Sequence, residues 1–224
     1  MKTFIKKYGI YMVVPVYTVL YLLAFHLLES RTAHGFHVIH ASMDSSIPFC
    51  EYFIVPYLLW FFFIAATVLW FMFKDKEKKE YTRLIINLGI GMTLFILISW
   101  IYPNGHFLRP EVFPRENIFT DMVRALYGAD TSTNIFPSIH VYNSVAAFIA
   151  IAHNETLRKK KVVVPGAFVL TVLIILSTVF LKQHTVVDVI GAFALNFVVY
   201  ILVYRIGDNR VTVNNKAYSK AEHS

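Results

Sequence analysis

His184 and Asp188 stand four residues apart in Leu181-Lys-Gln-His-Thr-Val-Val-Asp188, at the start of an apolar run. At that spacing on a helix the imidazole and the carboxylate share a face and can hydrogen-bond. An ionisable pair inside an apolar segment is costly in lipid, which marks it as a functional site. Two earlier segments, Leu108-Arg109-Pro110 and Phe136-Pro-Ser-Ile-His140, add a guanidinium, a hydroxyl and a second imidazole. The chemistry these groups suit is phosphoryl transfer, which asks a protein chiefly for positioning and charge stabilisation. Arg109 offers a planar fork for two phosphate oxygens, and Ser138 offers a further donor. A neutral His184 can attack phosphorus while Asp188 fixes its tautomer. His140 can protonate the leaving oxygen and then activate the acceptor. Taken singly, each has a plainer alternative: an interfacial anchor for Arg109, a local cap for Ser138, a hydrogen-bonded core histidine for His140.

The elements that must carry these groups are membrane helices. The chain has 224 residues, 57% hydrophobic and 16% charged, with a mean hydropathy of +0.56. That composition is far from a soluble domain. Apolar runs cover 8–28, 52–73, 84–102, 136–153, 162–181 and 185–206, each near the roughly 20 residues that cross a hydrocarbon core. The expectation is an all-α polytopic membrane protein with six transmembrane helices. It forms one membrane domain over 1–224, with no room for a separate soluble one.

The net charge of +7 does not point to nucleic acid, because of how it is distributed. With alternating spans, 16 of the 21 Lys and Arg residues fall on one side. The positive-inside rule then places both termini in the cytoplasm. The lysines before the first run mimic a signal peptide, but the run is longer than a usual h-region and lacks a small-residue cleavage pattern, so an uncleaved span is expected. Cys50 is the single cysteine, which excludes an intrachain disulfide.

Two loops fall on the opposite, outer side. The first, 29–51, holds His34, His37 and His40, whose spacing can bind a metal but reads more simply as a polar loop. The second, 103–135, carries apolar residues at helical spacing between Pro114 and Tyr127. A short amphipathic helix at the outer interface is expected there, between the third and fourth spans, stopping at Gly128. Pro137 suits the first turn of the fourth span. Ser138 would then lie in that turn, His140 one turn deep, and the free amides would form an anion site. Arg109, Ser138, His140, His184 and Asp188 all lie at the outer ends of their spans. Random polar residues would fall on both faces.

At these residues the chain resembles the type 2 phosphatidic acid phosphatase superfamily, whose members carry Lys-x6-Arg-Pro, Pro-Ser-Gly-His and Ser-Arg-x5-His-x3-Asp. Arg109-Pro110 matches the end of the first motif, Pro137-Ser138-Ile139-His140 the second, and Ser177, His184 and Asp188 the third. The resemblance covers roughly residues 85–206, the catalytic core. It implies a six-helix membrane core and a metal-independent mechanism acting on a phosphorylated lipid, with no cofactor. His184 would be the nucleophile, His140 the acid/base, Asp188 the orienting group, and Arg109 and Ser138 phosphate ligands. Three positions depart: Tyr102 replaces the first motif's lysine, Ile139 the second's glycine, and Thr178 the third's arginine. Lys182 is the cation that can replace one of those lost; a snorkelling interfacial lysine is its plainer alternative. The Phe-Pro-Ser-x-His pattern without the third-motif arginine is similar to the inositol phosphorylceramide synthase branch, which transfers a phospho-headgroup to a lipid alcohol. A lipid phosphatase is therefore expected first and a lipid phosphotransferase second. A metal bound by His140, His184 and Asp188 and a non-catalytic membrane protein are the remaining alternatives.

Overall fold

The computed structural model describes residues 2–31, 35–76 and 78–206, with side chains from Tyr11 onward. It is a helical bundle built from α1 (Lys2–Ser30), α2 (Ile54–Lys74), α3 (Lys79–Ile101), α4 (Ile118–Ala129), α5 (Ile139–His153), α6 (Glu155–Arg158), α7 (Val163–Phe180) and α8 (Val186–Tyr200). A π-helical turn over Ile201–Ile206 continues α8.

Among the described residues, five helical segments are long and apolar enough to cross a membrane: Tyr11–Ser30, Glu51–Lys74, Lys79–Ile101, Val163–Phe180 and Val186–Ile206. The helix in the fourth apolar run, α5, has only 15 residues, about 22 Å of rise. Pro137 and Ser138 stay outside it, and Asn154 ends it by capping α6 through Thr156 N and Leu157 N. The reason lies in its position. Nine of its 15 residues are buried, and it packs against α2, α3, α7 and α8. A helix enclosed by helices meets little lipid, so bilayer thickness does not set its length. Its Ala146, Ala147 and Ala150 are buried and permit the close approach of neighbouring backbones.

α1 lies at the periphery against α3. Tyr17, Tyr21, Phe25 and Phe95 stack in series, and Tyr17 Oη donates to Gly89 O at 3.0 Å. One end of the bundle gathers the long connections. Among them β1 (His37–Val38) pairs in parallel with β2 (Asn104–Gly105), a small departure from an all-α fold. The helix expected from Pro114 begins instead at Ile118, where Asn117 accepts from Phe119 N at 2.9 Å and Thr120 N at 3.0 Å, and it runs through Gly128 to Ala129. Its Val123 packs with Ile54, Tyr57 and Leu181, while Ile118 is 70% exposed. Buried Glu51 anchors the approach to α4, accepting from Arg115 Nε at 2.7 Å and Asn117 Nδ2 at 3.0 Å. The opposite end carries the basic residues Lys74, Lys76, Lys78, Lys79 and those of 158–161, and Arg83 there lies over the Tyr204 ring at 5.1 Å.

Candidate active site

The connection from α7 to α8 turns sharply. Lys182 adopts a left-handed conformation (φ 53°), and Gln183 N and His184 N both donate to Thr178 O, at 2.9 and 3.0 Å. Thr185 then caps α8. Its Oγ1 accepts from Asp188 N at 3.3 Å, and Asp188 Oδ2 accepts from Thr185 N at 2.7 Å, a capping box. His184 therefore stands outside the helix. It does not meet Asp188 across one helical turn, as the spacing predicts; Asp188 folds back over the helix start to reach it. His184 Nδ1 lies 3.5 Å from Asp188 Oδ2. Both residues are buried.

Asn104 sets the approach to α5. Its fully buried side-chain oxygen accepts from Ile135 N and Phe136 N, each at 2.9 Å. Phe136 in turn packs against Gly191 of α8, where an added Cβ would lie 2.3 Å from the ring. Ser138 follows as the N-cap of α5, one position before the first turn in which it is expected. Its N donates to Asp188 O at 3.3 Å, and its Oγ accepts from Val141 N at 3.4 Å. His140 is the second residue of the helix. Its ring centroid lies 5.7 Å from that of His184 and is flanked by Tyr57 at 4.6 Å and Trp60 at 4.3 Å. Ser138, His140, His184 and Asp188 thus come together. Among the described residues, His140 Nδ1, His184 Nδ1 and Arg109 Nε are buried without a hydrogen-bond partner.

Arg109 approaches from the loop after α3. Its Nη2 donates to Asp130 O and Thr131 O, each at 2.8 Å, and to Gln183 Oε1; its Nη1 donates to Tyr127 O at 3.3 Å. The guanidinium lies over the Tyr127 ring at 4.3 Å, so Arg109 also closes the C-terminal end of α4. Burial lowers its pKa, opposed chiefly by Asp130. Lys182 Nζ donates to Asp44 O at 2.8 Å and Ile47 O at 2.5 Å, leaving one N–H for any other partner. Burial lowers the Lys182 pKa against the pull of Asp44.

Sequence reasoning missed most of the groups that brace this connection. Gln183 links Arg109 to Asp130. Buried His106 directs Nε2 to Gln183 O at 3.1 Å and accepts from Leu108 N through Nδ1 at 3.1 Å. Burial pushes its pKa down to about 4, only partly offset by the hydrogen bond to Gln183. Asp44 accepts from Val186 N at 2.8 Å, in the first turn of α8. Burial raises the Asp130 carboxyl above the usual range, against the opposing pull of His184, Arg109 and the Tyr57 hydroxyl. Adjacency to Arg109 and His184 was the one available signal for His106 and Gln183; Asp44 and Asp130 carry none.

The departures from the motif pattern have definite places. Tyr102 stacks on His37, with centroids 4.2 Å apart. Ile139 packs against the cluster of α1 and α3 that holds Tyr21, Leu28 and Phe95. Thr178 is fully buried, and its hydroxyl donates to Ile175 O at 2.8 Å. His40 lies 3.3 Å from Ser45 Oγ, and His34 lies outside the described residues. Among the described residues no three His, Cys, Asp or Glu side chains form a metal-binding group.

Residues 108–212 match the model of the PAP2 superfamily, a family of phosphatases and phosphotransferases. No curated protein and no solved structure matches the chain. The matched segment contains Arg109, Ser138, His140, Lys182, His184 and Asp188.

Proposed function

We propose that this chain, which belongs to the PAP2 superfamily through residues 108–212, is an integral membrane lipid phosphatase working through a phosphohistidine. The observation that carries this reading is the placement of two buried imidazoles 5.7 Å apart, one of them with Asp188 at its Nδ1. The Asp188 charge beside Nδ1 favours the tautomer that carries its proton there, which leaves Nε2 with its lone pair for attack. Nε2 forms a bond to phosphorus of a phosphomonoester or diphosphate lipid as the bond from phosphorus to the leaving oxygen breaks. His140 gives its proton to that oxygen. A water then attacks phosphorus, His140 takes the water's proton, and the phosphorus–nitrogen bond breaks to release phosphate. Ser138, Arg109 and the third N–H of Lys182 bind the phosphate oxygens.

A lipid phosphotransferase is the second reading. It is favoured by the neutral residues Tyr102 and Thr178 at two positions where the motif pattern has cations. There a lipid alcohol replaces water in the second step, and the first step is unchanged. The charge asymmetry of the loops supports cytoplasmic termini and a site opening at the outer face of the cell membrane.

The test is to quench the purified protein during turnover of phosphorus-labelled lipids, with and without added lipid alcohol. An acid-labile phosphoenzyme is expected in the native protein and not in His184→Ala. Equal labelling of both would defeat the mechanism. Free phosphate identifies the phosphatase, and headgroup exchange that requires the alcohol identifies the transferase.

A further inference from the structure

Arg109, Gln183, Asp130 and Tyr57 form one line of hydrogen bonds beside the two histidines. Arg109 Nη2 donates to Gln183 Oε1, Gln183 Nε2 donates to Asp130 Oδ2 at 3.4 Å, and Tyr57 Oη donates to the same Oδ2 at 3.2 Å. Gln183 and Tyr57 are buried.

Direction matters in such a line. Arginine only donates, an ionised carboxylate only accepts, and glutamine carries one group of each kind. Asp130 therefore holds the Gln183 amide with Nε2 toward itself and Oε1 toward Arg109. The reversed amide would set N–H groups against the guanidinium and leave a carbonyl facing the carboxylate. Tyr57, tied to the same oxygen, presents its ring to His140 at 4.6 Å. Asp130 and Tyr57 lie outside the three motifs, and Gln183 fills an unspecified position of the third, directly before His184.

We propose that Asp130 is a positioning residue: through Gln183 it orients the Arg109 guanidinium for the phosphate, and through Tyr57 it braces the His140 ring. The proposal rests on Arg109 being a phosphate ligand, as in the proposed function. Its role is one of polarity, so exchanging the two ends of the Gln183–Asp130 bond should preserve it. The double variant Asp130→Asn with Gln183→Glu makes that exchange. Its introduced carboxylate accepts from Arg109 and from the introduced amide, whose second N–H faces the Tyr57 hydroxyl, a group that can also accept.

The experiment measures binding of inorganic phosphate to the purified full-length protein by titration calorimetry, with thermal unfolding as the control for folding. Asp130→Leu, which removes the acceptor for Gln183 and Tyr57, is expected to weaken phosphate binding by about tenfold or more. The exchanged double variant is expected to return to within about threefold of the native affinity, since it keeps one acceptor facing Arg109. Arg109→Ala tests the underlying reading. Native affinity in Asp130→Leu with loss in Arg109→Ala would overturn the proposal and leave the site reading standing. Failure of the double variant to recover, with native melting, would overturn it also. No phosphate binding by the native protein would remove the site reading and the proposal together. If Asp130→Leu does not fold, Gln183→Met cuts the same line, with the same tenfold expectation; native affinity there is fatal to the proposal.

Discussion

The Asp188 oxygen that lies 3.5 Å from His184 Nδ1 also accepts the Thr185 N–H at 2.7 Å. One carboxylate oxygen thus caps α8 and faces the imidazole. The helix cap holds the carboxylate at a single height, and the chain leaving α7 brings His184 to it. Orientation of the candidate nucleophile and initiation of α8 are therefore one structural event.

That double duty separates two substitutions. Asp188→Asn keeps an oxygen for the Thr185 N–H but loses the charge facing His184, so turnover should fall on the order of 10³-fold with little change in stability. Asp188→Ala also loses the cap, with a further cost of about 1 kcal/mol. Lipid turnover and thermal midpoints, measured on both, check the distinction.

His106 should make the protein acid-sensitive. Its folded pKa of about 4 lies below its ordinary 6.5, so the unfolded chain takes up the proton first as pH falls. Its contribution is complete above about pH 6.5, is lost progressively down to about 4, and is constant below that. At the limit the effect is roughly 3 kcal/mol. Replacing His106 with Gln should flatten the fall in thermal midpoint over that window. Parallel curves for the two proteins would show that His106 does not set it.

Lys182 has a structural duty that its position before His184 conceals. Lys182→Met leaves the Asp44 and Ile47 carbonyls without their donor, a cost of about 2 kcal/mol. Its phosphate affinity should fall less than that of Arg109→Ala. Unchanged melting with abolished phosphate binding would instead make Lys182 a principal phosphate ligand.

Gly191 should tolerate no side chain. A Cβ there would lie 2.3 Å from the Phe136 ring, and Phe136 leads directly into Pro137 and Ser138. Gly191→Ala should cost about 1–3 kcal/mol and reduce turnover by displacing Ser138. Gly166, in α7, has nothing within 4 Å of its Cβ position, so Gly166→Ala should leave turnover and the thermal midpoint essentially unchanged. Comparing the two variants separates collision from loss of glycine itself.

The membrane character and five of the spans were legible because a hydrocarbon solvent acts on local composition. Long apolar runs record it whatever their neighbours do. The α5 segment escaped that logic. Its His140, Asn143 and Ser144 are buried among other helices, and enclosure by protein leaves no signature in a hydropathy window. The start of α4 was misplaced for a related reason. Pro114 is a generic start signal, while Asn117 acts through specific bonds to Phe119 N and Thr120 N.

From the sequence by itself came the residue types capable of phosphoryl transfer, because His184, Asp188, His140, Ser138 and Arg109 are each improbable in apolar surroundings, and because alternating spans carry them to one end. Only the tertiary structure decided how they are held. His184 owes its place to Thr178 O, Lys182 to the carbonyls of Asp44 and Ile47, and Arg109 to Gln183 and the end of α4. Those partners lie as far as 138 residues away in the chain. Hydrogen bonds depend on distance and direction in space, and separation along the chain records neither.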